Sequence, residues 1–126
     1  SPARREAWEA ITESEYHGHA CDCQTSVTLA NYPELVHMER VPLEPALPLG
    51  RLSGIPGNFS GISWYANHPE HYAGDARTAS AEKGLRLREL QVEQLVEFIA
   101  AVKADEVAPM LEAEFFAREA AIRNNA

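Results

Sequence analysis

Positive charge is scarce in this chain: Lys and Arg number 11 against 19 Asp and Glu, for a net charge of −8 over 126 residues. No basic stripe runs along it, which argues against nucleic acid or an anionic membrane as a main partner. Long apolar runs are missing as well. None approaches the roughly 20 residues of a membrane span, and Ser1-Pro2-Ala3-Arg4-Arg5-Glu6 lacks the apolar core of a secretory signal. Cysteine is limited to Cys21 and Cys23. The single residue between them strains a local disulfide, so a reducing, cytoplasmic setting is the simpler reading. Strand-forming runs are short, and there are no internal repeats or low-complexity tracts. At 45% hydrophobic and 24% charged, the composition is that of an ordinary folded protein, and the length suits one domain over residues 1–126. The chain opens without methionine in helix-forming sequence, as a processed piece or one subunit of a larger assembly would.

Helical patterns dominate what is there. Residues 4–13 read as an amphipathic helix with Ala7, Trp8 and Ile11 on one side, and a second helix is expected from Asp22 to about Asn31. His19, Cys23, Val27 and Ala30 are spaced to share a face of that segment. Tyr32-Pro33 ends it, because proline disfavours helical geometry in the residue before it. Pro33-Glu34-Leu35-Val36 then forms a further turn. Between 41 and 63, eight prolines and glycines punctuate the chain too often for a helix or central strand. A loop of that length is usually functional. Ile62-Ser63-Trp64-Tyr65 is the best strand candidate. Ser80 reads as the N-cap of a long helix to about Ala104, with Leu85, Val92, Leu95, Val96, Ile99 and Val102 as its apolar stripe. Pro109 fits the first turn of a last helix carrying Leu111, Phe115 and Phe116. Four or five helices with almost no strand, and an apolar face wider than the short segments can cover, suggest an α/β layer structure whose parallel sheet lies mostly elsewhere.

The densest chemistry is His17-Gly18-His19-Ala20-Cys21-Asp22-Cys23-Gln24-Thr25-Ser26. Two imidazoles, two thiols and a carboxylate crowd into seven residues. The spacing is poor for structural zinc, which favours two to four residues between cysteines and a second pair further on. The thiols are better read as small packing residues, and Thr25 and Ser26 as hydroxyls capping backbone donors. Trp64-Tyr65-Ala66-Asn67-His68-Pro69-Glu70-His71-Tyr72 is rich in aromatic and polar tips, suited to a pocket wall or a subunit contact. Asp75 suits a turn cap, and Gly84, early in a helix, points to close approach of another backbone.

Two segments carry a family resemblance. His19-Ala20-Cys21-Asp22-Cys23-Gln24-Thr25-Ser26, then Leu29 and Pro33-Glu34-Leu35-Val36, resembles the His-Ala/Gly-Gly-x-x-Glu-Thr-Ser … Leu … Pro-Glu-Leu-Val stretch of the creatininase (creatinine amidohydrolase) family. Gly74-Asp75-Ala76-Arg77-Thr78-Ala79-Ser80-Ala81-Glu82-Lys83-Gly84 resembles the family's Gly-Asp-x-x-x-Ala-Thr/Ser-x-Glu-Lys-Gly stretch, which opens its long late helix. The resemblance implies a metal-dependent hydrolase of amide or cyclic amide bonds with a three-layer αβα fold, of which this chain matches only the C-terminal half. The family's metal ligands, a Glu-x-His with an Asp and a later His-x-Glu-like pair, are read as absent from this chain. Zinc or manganese would then be bound mainly by residues outside this chain, with no metal ligand within it. A second chain or an N-terminal half would carry those ligands and most of the sheet, in a hexamer-like homo- or hetero-oligomer acting on a small molecule.

The resemblance implies that His19 is the proton-transfer residue. An imidazole titrates near neutrality, so it can take a proton from an attacking water and return it to the leaving nitrogen. Gln24 stands where the family has glutamate and would orient such a histidine without stabilising its charged form. Tyr16, His17, Trp64 and Tyr65 are further candidates to contact or support the substrate. Glu15 and Tyr16 replace a family tryptophan, which leaves the substrate open, a cyclic ketone or sugar-derived ring included. A non-catalytic, regulatory subunit is the competing reading. A third has Ser1 as a self-cleavage product whose amine activates its own hydroxyl, although a protease boundary is commoner.

Overall fold

The computed structural model describes residues 2–57 and 59–124. Ser1, and the self-cleavage reading attached to it, lies outside them. The elements are α1 (Pro2–Glu9), β1 (His17–His19), α2 (Asp22–Asn31), 3-10 turns at Pro33–Leu35 and Met38–Arg40, α3 (Gly61–Asn67), β2 (Ala73–Gly74), α4 (Ala81–Ala104) and α5 (Val107–Asn124). Contacts gather the chain into two compact units, Ser1–Gln91 and Val92–Ala126. The boundary falls inside α4.

In the first unit, α1 ends at Glu9, earlier than its pattern predicts. The cause is Asp22, whose Oδ2 accepts the backbone N–H of Glu13 at 2.7 Å and of Ser14 at 3.3 Å. Those donors are lost to the helix ladder, and the chain leaves the helical path toward β1. The expected face survives, with Ile11 buried and Trp8 half-buried. α2 occupies the expected span, but His19 stands on β1 and does not extend the face of that helix.

β1 and β2 pair antiparallel, His17 opposite Gly74 and His19 opposite Ala73. Ala46, in the Pro/Gly-rich stretch, adds an antiparallel bridge to Gly74, exchanging hydrogen bonds of 2.9 and 3.0 Å. Gly74 can take both neighbours because its φ is +139° and because it has no Cβ, which would sit 2.7 Å from Tyr16 O and 2.8 Å from Cys21 Cβ. No parallel strand pair occurs among the described residues.

The Ile62-Ser63-Trp64-Tyr65 strand is overturned: these residues lie in α3. Their β-propensity yields to a capping box, in which Ser63 Oγ accepts the Ser60 N–H at 2.8 Å and Ser60 Oγ accepts the Ser63 N–H at 3.4 Å. The end of α3 anchors the preceding loop. Asn67 Oδ1 accepts the Gly50 N–H, and the Arg51 guanidinium donates to Ala66 O and Tyr65 O at 2.5 and 2.6 Å.

α2 packs on the first turns of α4 through Gly84, where any Cβ would overlap the Ser26 carbonyl. The close approach read from the sequence is therefore real. Ser26 and Thr25 do not cap their own helix. Ser26 Oγ accepts the Ser80 N–H at 3.0 Å, and Thr25 Oγ1 donates to Ala20 O. The buried contact of α4 is Leu87, 2% exposed, whereas Leu85 is 42% exposed. Gly84 and Leu87, one turn apart, are the buried positions of α4, and Leu85 lies off their face.

In the second unit, Asp105 caps α5, its carboxylate accepting the N–H of Val107 at 3.1 Å and of Ala108 at 3.0 Å. Pro109 sits in the first turn, where no N–H is missed. Glu114–Arg118 and Glu119–Arg123 pairs run along the helix. No described residue of α5 is buried.

Candidate functional site

The two imidazoles of β1 join different neighbourhoods. The His17 ring stands edge-on to Trp8, centroids 4.6 Å apart, with Nδ1 3.6 Å from Asp22 Oδ1. The His19 ring is also edge-on, but to Trp64, at 6.2 Å. Trp64 is tilted against His68 at 4.9 Å, and Tyr16 stacks on His68 at 5.8 Å. The Tyr16 hydroxyl and His68 Nε2 share a hydrogen bond of 3.1 Å. Trp64 Nε1 donates to His71 Nδ1 at 3.2 Å. The left-handed φ of His71, +57°, belongs to the turn after Pro69.

His68, read from the sequence only as one of the Trp64–Tyr72 residues suited to a pocket wall or subunit contact, holds the centre of this neighbourhood. It is 3% exposed, and its Nδ1 is buried without a hydrogen-bond partner. Such atoms are uncommon in folded proteins and tend to mark binding or reacting centres. The usable signal was Trp64-x-x-x-His68, an i, i+4 pair that a strand assignment at 62–65 concealed. Tyr16, Ser60, Ser63, Trp64, Asn67 and His68 line an open cavity of about 550 Å³. Tyr65, another candidate, points elsewhere: the Arg51 guanidinium lies over its ring at 5.5 Å. Gln24 does not hold the His19 ring through any contact seen here. Its Oε1 accepts the Ala20 N–H at 2.8 Å, and its amide nitrogen donates to Gly18 O at 3.5 Å. Ala20 needs that brace because its φ is +59°, unusual for a residue with a Cβ.

Asp22 organises the other neighbourhood. It is fully buried and accepts three backbone N–H groups, those of Glu13, Ser14 and Cys23. At the N-terminus of α2 its charge also meets the positive end of the helix dipole. Cys21 and Cys23 are free thiols with sulfurs 3.0 Å apart. Burial, then the neighbouring thiol and the Asp22 charge, push Cys23 up to about 12. His17, Cys21, Asp22 and Cys23 form the one group of three or more potential metal ligands among the described residues, all donor atoms within 4.8 Å of one another. Sequence reading treats these thiols as packing, because chain spacing says nothing of where a loop turns its side chains.

The reading that the family's ligand motifs are absent needs correction, since two triplets have their letters, Glu15-Tyr16-His17 and His37-Met38-Glu39. Neither brings a carboxylate into such a group, and His37 and Glu39 pair with each other in the open. Further along, Asp75 closes its turn as expected, accepting the Arg77 N–H at 3.0 Å. The Arg77 guanidinium grips the Asp75 carboxylate, holding it below its ordinary pKa, and donates to Leu43 O.

The family described as Creatininase, creatinine amidohydrolase, matches residues 1–99. A solved structure from Bacteroides fragilis NCTC 9343, provisionally named a creatinine amidohydrolase, aligns over 82% of this chain and 42% of its own, at 24% identity and a TM-score of 0.64. This chain thus spans less than half the length of that protein. No curated protein matches it significantly. The structural likeness establishes a helix-rich α/β fold of creatininase type, and the match over residues 1–99 shows that this chain belongs to the creatininase family.

Proposed function

We propose that this chain supplies the proton-transfer side of an amidohydrolase active site, with His19 carrying the proton. The observation that supports it most is the placement of the family-matched histidine. His19 stands exposed on β1, its ring edge-on to Trp64, which lines a cavity together with Tyr16 and His68. In that reaction His19 takes a proton from the attacking water and delivers it to the nitrogen as the C–N bond breaks. The Tyr16 hydroxyl, held by His68, is set to hydrogen-bond a polar substrate group, and Trp64 offers a flat apolar wall. An amide or cyclic amide of small size fits these parts. A cyclic ketone or sugar-derived ring is the alternative substrate class within the same proposal.

Family membership implies a divalent metal, zinc or manganese, for hydrolysis. The ligand cluster present here does not fit that task. Two of its members are fully buried and two are thiols, whereas a hydrolytic metal keeps an open position for water. The hydrolytic metals are therefore placed on a second chain or an N-terminal half, in a cytoplasmic, hexamer-like assembly. Among the described residues no helix is long and apolar enough to cross a membrane.

The test is His19→Gln in the assembly with its metal-bearing partner. Loss of turnover by about 100-fold or more, with KM little changed, is expected of a proton carrier; unchanged turnover would sink the assignment. A regulatory, non-catalytic role is the second reading, favoured by Gln24 in place of the family's glutamate. Restoring Gln24→Glu separates the two, since a gain in turnover belongs to a weakened enzyme and cannot arise in a silent subunit.

A further inference from the structure

Four side chains given no part in hydrolysis converge beneath β1. The donor atoms of His17, Cys21, Asp22 and Cys23 lie within 4.8 Å of one another. A tetrahedral zinc site has bonds of about 2.0–2.3 Å, hence ligand spacings of about 3.3–3.8 Å. The separation of His17 Nδ1 from Asp22 Oδ1, 3.6 Å, falls inside that range, whereas the sulfurs, 3.0 Å apart, lie below it and would have to part on binding. Small rotations of the cysteines would bring the set onto one centre.

Three further observations point the same way. Cys21 occupies the N-cap of α2 and makes no side-chain cap bond. Ser, Thr, Asp or Asn is preferred at that position. The buried sulfur is instead turned to the second thiol. Asp22 Oδ2 accepts two N–H groups, but Oδ1 accepts only that of Cys23. A lone pair is left on Oδ1, which faces His17 across a gap too long for a hydrogen bond. Trp8 braces the His17 ring, fixing the orientation of Nδ1 before anything binds. Access is available too, because the partly exposed Cys23 lines an open cavity of about 230 Å³ with Trp8, Gln24, Val27, Leu87 and Gln91.

We propose that His17, Cys21, Asp22 and Cys23 form a closed four-ligand site for a soft divalent cation of the zinc class, tying β1 to the start of α2. Binding exchanges two thiol protons, released to solvent, for two metal–sulfur bonds, with no change of oxidation state. With all four positions filled by protein, no water is activated and the site is structural. Paired thiolates select zinc over magnesium or manganese. The site is thus distinct in chemistry from a hydrolytic centre and independent of the amidohydrolase reading.

Cobalt(II) is the probe, titrated into the reduced 126-residue chain with no hydrolysis assay involved. The expected result is saturation at one equivalent, with intense visible bands of a tetrahedral ion and a sulfur-to-cobalt charge-transfer band. Zinc should bleach both, and magnesium neither. His17→Gln should keep the charge-transfer band yet weaken binding beyond the roughly 10–100-fold typical of losing an outer partner. Cys23→Ser should diminish the band itself. In the unaltered chain, zinc should protect both cysteines from alkylation, read by intact mass, so the outcome does not depend on any variant folding. A weak octahedral spectrum without charge transfer, a band unaltered in Cys23→Ser, or alkylation indifferent to zinc would each overturn the proposal.

Discussion

The two units of this chain place polarity in opposite ways. Up to Gln91, the chain buries groups that sequences usually keep wet: Asp22, Ser26, Ser63 and His68 are all inside. Beyond it, Val96, Phe98, Met110, Phe115 and Ile122 are all more than half exposed. Among the described residues of the first unit, each buried polar side chain except His68, at its Nδ1, is hydrogen-bonded, so burial specifies a geometry instead of merely stabilising one. In the second, helices are held by a cap and i, i+4 ion pairs of a few tenths of a kcal/mol each. Short-range forces of that size define a helix but not a tertiary site. The difference teaches that the chemistry is concentrated where hydrogen bonds are non-local.

Substitutions at either end can break that contrast. The largest effect is expected from Asp22→Ala, which strands the N–H groups of Glu13, Ser14 and Cys23. A loss of about 4 kcal/mol is expected in chemical denaturation, and a loss below about 1 kcal/mol would deny the buried carboxylate its organising role. Next comes Gly84→Ala, whose methyl group would strike the Ser26 carbonyl. It should destabilise by about 3 kcal/mol in the same measurement, as overpacking does. A neutral result would mean that α2 and α4 are not in backbone contact.

A smaller effect follows acid. Arg77 lowers the Asp75 pKa in the folded chain, so the pair stabilises most above the unfolded aspartate pKa of about 3.9. That contribution is lost as pH falls through the lower, folded value. Asp75→Asn should flatten the fall of Tm in this window and leave Tm near neutrality little changed, since solvent screens so exposed a pair. Smallest of all, Val96→Gln should shift stability by no more than about 0.5 kcal/mol in the isolated chain. A cost several times larger would show that the second unit's apolar face already packs on something, and would erase the contrast between the units.

Legibility in the sequence followed the range of the forces involved. The span of α2, the end of α4 and the family itself were readable, because caps, prolines and contiguous motifs are local signals. α3 was missed where Ser60 and Ser63 outvoted β-formers by two hydrogen bonds that propensity does not count. The early end of α1 is set by a carboxylate nine residues away from Glu13. Convergence of His17 with Cys21, Asp22 and Cys23 depends on a loop turning through Ala20 at positive φ, which no spacing rule encodes. The burial of His68 beneath Tyr16 joins positions 52 apart.

Ser26 reaches across 54 residues to hold the Ser80 N–H, while Gly84 leans on its carbonyl. The two family stretches are therefore stitched directly to each other, by one hydrogen bond and one close backbone approach. The chain between them is fastened to the second stretch as well, through Ala46 on Gly74 and Leu43 O on the Arg77 guanidinium, so a displacement of that stretch would be felt along the Pro/Gly-rich loop.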